Sequence, residues 1–351
     1  MTTPIAVLRP DSLAARLELT DPDFAARLHG RLADAERWLR ATAGDAPHAL
    51  VAEWSRYVIE AGGKRLRPLL VLLAAEFGAD AAFGGSDGRG ADPVLDAAAL
   101  VELVHVASLH HDDVMDGARS RHGVPSAPAR WGNRTAVHLG DRLLVRAGRL
   151  AADLGPEVVR LQGEAAERLV RGQLRELTGP LADESPLSHH LAVIADKTGS
   201  LIALALRIGA EVAGAPRPAA RALAEYGEQL GLVFQLSDDL LDFASEPGES
   251  GKDPGIDLAV GVRTLPMLLA LDEDGPRAAE LRALLERGPL ADERDRRRAA
   301  ELLRRSSAEA RARELLHVHA TEARAALAAL PDLPARAALA DLVGLVEHRS
   351  A

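Results

Sequence analysis

Cysteine is absent from the 351 residues, which excludes disulfides, thiolate metal sites and cysteine nucleophiles together. That absence suits a reducing compartment, and a cytoplasmic location is the expectation. Aromatics are nearly as scarce, with five Phe, two Tyr and three Trp, so the interior must be mostly aliphatic. Positive charge is in deficit as well. A net charge of −10 lacks the basic footprint of a general nucleic-acid binder, and no nucleic-acid partner is expected. No run of about 20 apolar residues is free of charge, so no transmembrane segment is expected. The opening MTTPIAVLRPDSLAARLEL lacks the basic start and long apolar core of a signal peptide. Runs of alternating, β-branched residues are missing too, which argues against a sheet.

What is present is helical periodicity. Residues 23–42 read as an amphipathic helix with Asp23 as its cap. Residues 61–78 open on a glycine pair and become a strongly apolar helix, and 83–93 form a Gly- and Pro-rich loop. Residues 93–117 are apolar nearly all round up to their carboxylates, the pattern of a buried helix whose last turns reach a polar cavity. Further helical stretches cover 141–155, 157–177, 189–214 and 219–245, followed by a loop over 249–266. An Ala-, Arg-, Leu- and Glu-rich helical region occupies 276–351, and the stretch near 275–295 reads as a loop rather than a domain boundary. The expectation is one all-α domain spanning 1–351, with no linker-like composition to divide it.

HHDDVMDGARSRHG (110–123) places Asp112, Asp113 and Asp116 at spacing i, i+1, i+4 on one helical face. Like charges that close repel by roughly 4 kcal/mol per pair at an effective dielectric of about 20, so something outside the chain should neutralise them. QLSDDLLDF (235–243) repeats the arrangement with Asp238, Asp239 and Asp242. One such cluster would read as a solvated helix end. Two copies on buried-type helices, each followed by a Gly- or Pro-rich loop, point instead to two clusters meeting across one cavity. Oxygen-only ligation suits Mg²⁺, which uses one or two carboxylates and completes its shell with water and phosphate oxygens. The implied ligand is a diphosphate bridged between the clusters; the spacing of a calcium EF-hand is absent.

Basic residues complement the acids. GGKRLRP (62–68) sets Lys64 and Arg67 at a helix start behind two glycines, where helix N-terminus and side chains both favour phosphate. No Walker P-loop is present. Arg119, Arg121 and His122, just past the first cluster, add a second anion site.

GGKRLRP, HHDDVMDGARSRHG, DKTGS, FQLSDDLLDF and GKDPGIDL occur in the order found in trans-isoprenyl (polyprenyl) diphosphate synthases. The resemblance covers roughly residues 45–270 with a looser helical tail. It is closest to actinobacterial long-chain members associated with menaquinone side chains. It implies the isoprenoid synthase fold, an orthogonal helical bundle around a central cavity, and a homodimer. The implied reaction ionises an allylic diphosphate and lets the double bond of isopentenyl diphosphate attack the resulting cation. By resemblance, Asp112, Asp113, Asp116, Asp238, Asp239 and Asp242 would bind three Mg²⁺ ions that clamp the allylic diphosphate. Arg121, Lys197 and Lys252 would assist on that diphosphate. Lys64, Arg67, His105 and His122 would hold isopentenyl diphosphate, and Lys197, Thr198 and Gln235 would face the carbocation. The apolar product would bring a peripheral membrane contact on release.

Two positions depart from the family. His122 stands where a second arginine is usual, lacking the forked donors and carrying only part of a charge near neutral pH. Val262 stands where many members have lysine, although the long-chain actinobacterial type often has valine there. Ala107 and Ser108 precede Asp112 by about a turn, where short-chain members resembling this family carry aromatic floors. Small residues there imply a product longer than C20, in the C30–C50 range. Two other readings remain open. A class I terpene cyclase shares the all-α fold, but ten aromatics are poor provision for migrating cations. Its second metal motif also differs, with Asp242 in the Ser/Thr slot, although Glu246 matches. A non-catalytic subunit of a heteromeric synthase would be expected to have lost one acidic cluster.

Overall fold

The computed structural model describes residues 13–78, 92–244, 264–285, 288, 290 and 292–349. In chain order the helices are α1 (Leu13–Arg16), α2 (Pro22–Gly44), α3 (Ala49–Ala61), α4 (Leu66–Ala75) and α5 (Pro93–Met115). A hairpin of two-residue strands, β1 (Ser120–Arg121) and β2 (Val124–Pro125), precedes α6 (Ala127–Trp131), α7 (Asn133–Leu154), α8 (Pro156–Thr178) and α9 (Pro186–Ile194). A π-turn (Ala195–Gly199) leads into α10 (Ser200–Val212) and α11 (Arg217–Ala244). The remainder comprises α12 (Leu265–Leu271), α13 (Pro276–Leu285), α14 (Glu293–Arg304), α15 (Ala308–Leu327) and α16 (Pro334–His348). The fold is all-α, as the sequence predicts.

Two compact units emerge: Met1–Glu167 with Ser200–Gly227 and Ala326–Leu342, and Arg168–Gly199 with Glu228–Ala325 and Val343–Ala351. In the first unit, α4 is buried along nearly its whole length because Leu69, Leu70, Val71, Leu72 and Leu73 succeed one another. Each fully buried leucine contributes about 1.5–3 kcal/mol. The neighbouring α10 comes close enough that a Cβ on Gly209 would lie 2.4 Å from the Val71 carbonyl oxygen. Tyr226 and Phe24 are the bulkiest fully buried side chains, and the others of that size class are Leu and Ile. The aliphatic interior implied by ten aromatics is what forms.

Helix α5 starts where Pro93 follows Asp92, whose carboxylate accepts the N–H groups of Val94 and Leu95 at 3.0 and 3.2 Å. By length and hydropathy α5 could cross a membrane, but 67% of its most apolar stretch is buried within the protein. Such burial is what a core helix shows. Several elements differ from the predicted ones: α7 begins at Asn133 rather than 141, α3 and α6 were not anticipated, and the predicted helix 189–214 is interrupted by the π-turn. Asp21, not Asp23, caps α2, accepting the N–H groups of Asp23 and Phe24 at 2.9 Å each; Asp23 sits in the first turn, at the positive end of the dipole. Helix α13 occupies part of the stretch read as a loop near 275–295. The hairpin at 120–125 was not anticipated, because strands of two residues leave no alternating run. The predicted loop over 83–93 lies outside the described residues up to 91, as does that over 249–266 up to 263.

Candidate active site

The last turns of α5 are partly accessible. His105, Ser108 and Asp112 are half-buried at i, i+3, i+7, and Asp116 beyond them is exposed. Asp113 turns the other way and is fully buried. The helix ends at the cluster because Asp116 is its C-cap and Gly117 takes a left-handed φ of 60°, letting the Ala118 N–H reach the Asp113 carbonyl at 2.9 Å. Ala107 is fully buried, as are Leu103 and Val104 one turn earlier. Of the two positions predicted to set product length, only Ser108 has accessible surface, and its hydroxyl donates to the His105 carbonyl at 2.8 Å.

The hairpin folds the basic residues back onto this face. His122 and Gly123 form its tip with φ of 51° and 79°, the left-handed pair that a two-residue turn of type I′ requires. Histidine tolerates that region better than most side chains, so the residue departing from the family pattern suits its backbone. Arg121 Nε then donates to Asp113 Oδ1 at 2.9 Å. Tyr57 pins the far side of the hairpin, its hydroxyl donating to the Pro125 carbonyl at 2.9 Å.

Beneath lies the glycine-pair turn. Gly63 has φ 133°, and a Cβ there would sit 2.7 Å from Arg65 Nη1 and 3.9 Å from His122 Nε2, so only glycine fits. Arg65 is buried in left-handed conformation. Its guanidinium bonds Glu36 at 2.6 Å, Glu102 at 3.3 Å and the Gly62 carbonyl at 2.9 Å. This buried ion network presents Lys64 and Arg67, yet the sequence reading passed over Arg65. Arg67 Nε is buried without a hydrogen-bond partner. Burial and then the Arg67, His122, Arg65 and Arg121 cations push the His105 imidazole well below its usual range. Partial desolvation, followed by Arg121 and Arg65, pushes His122 down, with Asp113 opposing. Arg67, Arg121 and His122, three of the residues predicted to hold phosphates, thus lie close enough to act on a fourth, His105.

The second unit repeats the first cluster's geometry. Gln235 and Asp238 are half-buried and Asp242 is exposed, again at i, i+3, i+7. Asp239 turns inward: His190 Nε2 and the Leu265 N–H each lie 3.0 Å from its Oδ2, and the Gln235 amide donates to Oδ1 at 3.2 Å. Lys197 and Thr198 lie on the π-turn, a distortion frequent at functional sites. The turn is clasped tightly. A Cβ on Gly172 would lie 2.9 Å from Asp196 Cβ, and one on Gly231 would lie 2.4 Å from Gly199 Cα. Arg168 bonds Asp196 at 3.1 Å, the Ala195 carbonyl at 3.0 Å and Glu228 Oε2 at 2.8 Å. Lys197 pairs with Glu176. Lys252, Val262 and Glu246 lie outside the described residues.

The residues fit a divalent cation. Each cluster offers only carboxylate oxygens, and its first and last aspartates keep accessible surface. Among the described residues no three His, Asp or Glu side chains gather closely enough to hold a metal alone. That donor set matches a cation which takes one or two carboxylates and completes its shell from phosphate and water.

A family model described as polyprenyl synthetase matches residues 48–303, further towards the C-terminus than the motifs alone reach. Nonaprenyl diphosphate synthase of Mycobacterium tuberculosis is 43% identical over 340 residues, covering 97% of this chain and 98% of that protein. Geranylgeranyl pyrophosphate synthase from Corynebacterium glutamicum, solved with calcium and isoprenyl diphosphate, superposes with a TM-score of 0.83 at 38% identity. The match covers 95% of this chain and 100% of that one. Decaprenyl diphosphate synthase from Rhodobacter capsulatus superposes at 0.81 with 32% identity, over 94% and 99% of the two chains. With the family model matched over most of the chain and a relative 43% identical over nearly its whole length, the chain belongs to the polyprenyl synthetase family.

Proposed function

We propose that the chain is a Mg²⁺-dependent trans-prenyltransferase. It would add isopentenyl diphosphate head-to-tail to an allylic diphosphate and release an all-trans polyprenyl diphosphate longer than C20, in the C30–C50 range. The observation that carries this is the paired arrangement of Asp112 with Asp116 and Asp238 with Asp242. In both clusters the first and last carboxylates are accessible while the middle one is buried and bonded. This reading narrows the six expected ligands: the four accessible aspartates ligate Mg²⁺, three ions in all, and Asp113 and Asp239, also expected as ligands, fix the clusters from behind. When bound, Mg²⁺ supplies Lewis acidity to the leaving diphosphate, an effect worth several kcal/mol.

The chain's own residues do the rest. Lys64, Arg67, His105 and His122 hold isopentenyl diphosphate, whose negative charge pairs with the Lys64 and Arg67 cations and favours protonation of the two imidazoles. Arg121, with Lys197 and Lys252, steadies the allylic diphosphate as its C–O bond breaks. Thr198 and the Gln235 carbonyl oxygen present partial negative charge to the cation before the new C–C bond forms. The aliphatic helices around Ser108 exclude water, which would otherwise capture the cation.

The reading extends to a single working domain, a homodimer, a cytoplasmic location and the supply of a menaquinone-type side chain. Homodimerisation is supported by an exposed apolar stripe in the second unit. Val170, Leu174 and Leu177 recur along α8 at spacings of four and three and are 58, 56 and 83% exposed. Contact with a membrane surface would then serve only release of the product.

The test is incubation of the purified chain with Mg²⁺, farnesyl diphosphate and labelled isopentenyl diphosphate. A ladder of linear prenyl products ending beyond C20 is expected. A cyclic hydrocarbon would make the chain a cyclase. No turnover with Mg²⁺ present would make it a non-catalytic subunit.

A further inference from the structure

We infer that Arg349, the last charged residue of the chain, is a positioning residue for the second aspartate cluster. Its Nη2 lies 2.9 Å from Asp238 Oδ1 and donates to the Phe234 carbonyl at 2.7 Å. Its Nε donates to the Ser237 hydroxyl at 2.9 Å, and the guanidinium carbon lies 4.3 Å over the Phe234 ring. Ser237 in turn donates to the Val346 carbonyl at 2.9 Å, tying the end of α16 to the turn of α11 that precedes the cluster. The Arg349 side chain is 10% exposed, against 37% for Asp238.

These contacts rank the partners. The carbonyl, the hydroxyl and the ring all hold Arg349 independently of the carboxylate, so the guanidinium is the fixed member of the pair. Asp238 is the more accessible partner, and a charge-assisted bond to one oxygen restricts how its carboxylate turns. A ligating carboxylate held from behind loses less freedom when a cation arrives, and such outer partners are commonly worth 10–100-fold in metal affinity. A competitor for the metal would need to move aside. Arg349 has three anchors resisting that. Lysine cannot replace it, because only the planar fork reaches hydroxyl, carbonyl and carboxylate together.

The inference rests on the Mg²⁺ reading of the cluster, and its test separates the two. Wild type, Arg349→Gln and Arg349→Lys are compared in a Mg²⁺ titration of prenyl transfer. In parallel, the rise in Tm caused by Mg²⁺ with inorganic diphosphate is measured for each. In Arg349→Gln the half-saturating Mg²⁺ concentration should rise on the order of tenfold, the rate at saturating Mg²⁺ should change little, and the Mg²⁺–diphosphate rise in Tm should shrink. Arg349→Lys should behave more like Arg349→Gln than like wild type. If both variants merely lower Tm without ligand and keep the wild-type Mg²⁺ response, Arg349 only seals the helix end. If they need less Mg²⁺, it opposes the metal; either result overturns the inference. A wild-type chain that ignores Mg²⁺ and diphosphate in both assays would instead refute the metal reading itself.

Discussion

Within each DDxxD cluster, one residue is set apart by its orientation. A helix turns about 100° per residue, so i and i+4 share a face while i+1 points towards the flank. On a helix buried on most sides, that flank is the core, and a buried carboxylate needs a partner. Asp113 finds Arg121, eight residues on; Asp239 finds His190, far away in sequence. The spacing made the clusters visible, whereas their split into accessible and buried members depends on these partners, which carry no local signal. Asp112→Asn should therefore raise the Mg²⁺ requirement steeply with little change in Tm. Asp113→Asn should mainly destabilise, by about 1–3 kcal/mol, the range for a charged hydrogen bond. Thermal melts beside Mg²⁺ titrations distinguish them, and reversed effects would overturn the assignment. At the hairpin tip, His122→Arg restores a forked, permanent cation. It should lower the KM for isopentenyl diphosphate several-fold, with kcat little altered, in steady-state assays.

The same residues give a pH dependence. His105 and His122 both titrate below the usual histidine value of about 6.5 in the folded chain. A depressed folded value means that the unfolded chain binds protons first. Their contribution to stability is thus complete above about pH 6.5 and is lost as pH falls through the folded values. Bound phosphate would favour the protonated forms and offset the loss. Melts between pH 7.5 and 5 should show Tm falling on acidification, and falling less with isopentenyl diphosphate present. A Tm independent of pH in this window would contradict the burial and the cationic surroundings described for His105.

At the scale of elements, long apolar helices were the legible part. Helix α5 was predicted over 93–117 and forms over Pro93–Met115, because its apolar residues leave it no exposed alternative. The π-turn was not legible: ADKTG reads as continuous helix, and the wider turn depends on distant glycines that let α8 and α11 approach it. Arg65 was overlooked for a related reason, since its role comes from Glu36 and Glu102 and not from GGKRLRP itself. Gly231→Ala tests the clasp. Its Cβ would meet the Gly199 backbone at 2.4 Å, and forcing the two apart should cost about 1–3 kcal/mol. Because the turn carries Lys197 and Thr198, kcat should fall more than the KM for isopentenyl diphosphate. An unchanged kcat would detach the π-turn from the chemistry.

At the scale of the whole molecule, two proposals depend on surfaces rather than on bonds. Product length depends on what the growing chain meets beneath the diphosphate, and Ser108 is the accessible small residue on that face. Ser108→Phe should shorten the product by several isoprene units on chromatography, and an unchanged length would dismiss Ser108 as the floor. Assembly depends on the stripe formed by Val170, Leu174 and Leu177 on α8. Apolar side chains at helical spacing on an exposed face lose solvation free energy unless a partner covers them, at about 25 cal/mol per Å². A second copy of this chain presents the same stripe, and a two-fold axis brings such a patch against itself. Leu177→Glu would put two carboxylates near each other in that contact without touching the interior, since Leu177 is 83% exposed. The variant should elute as a monomer in size-exclusion chromatography with light scattering, at a protein concentration where wild type is dimeric, while keeping its helical circular dichroism. A wild-type monomer, or a variant that stays dimeric, would place the contact elsewhere or remove it.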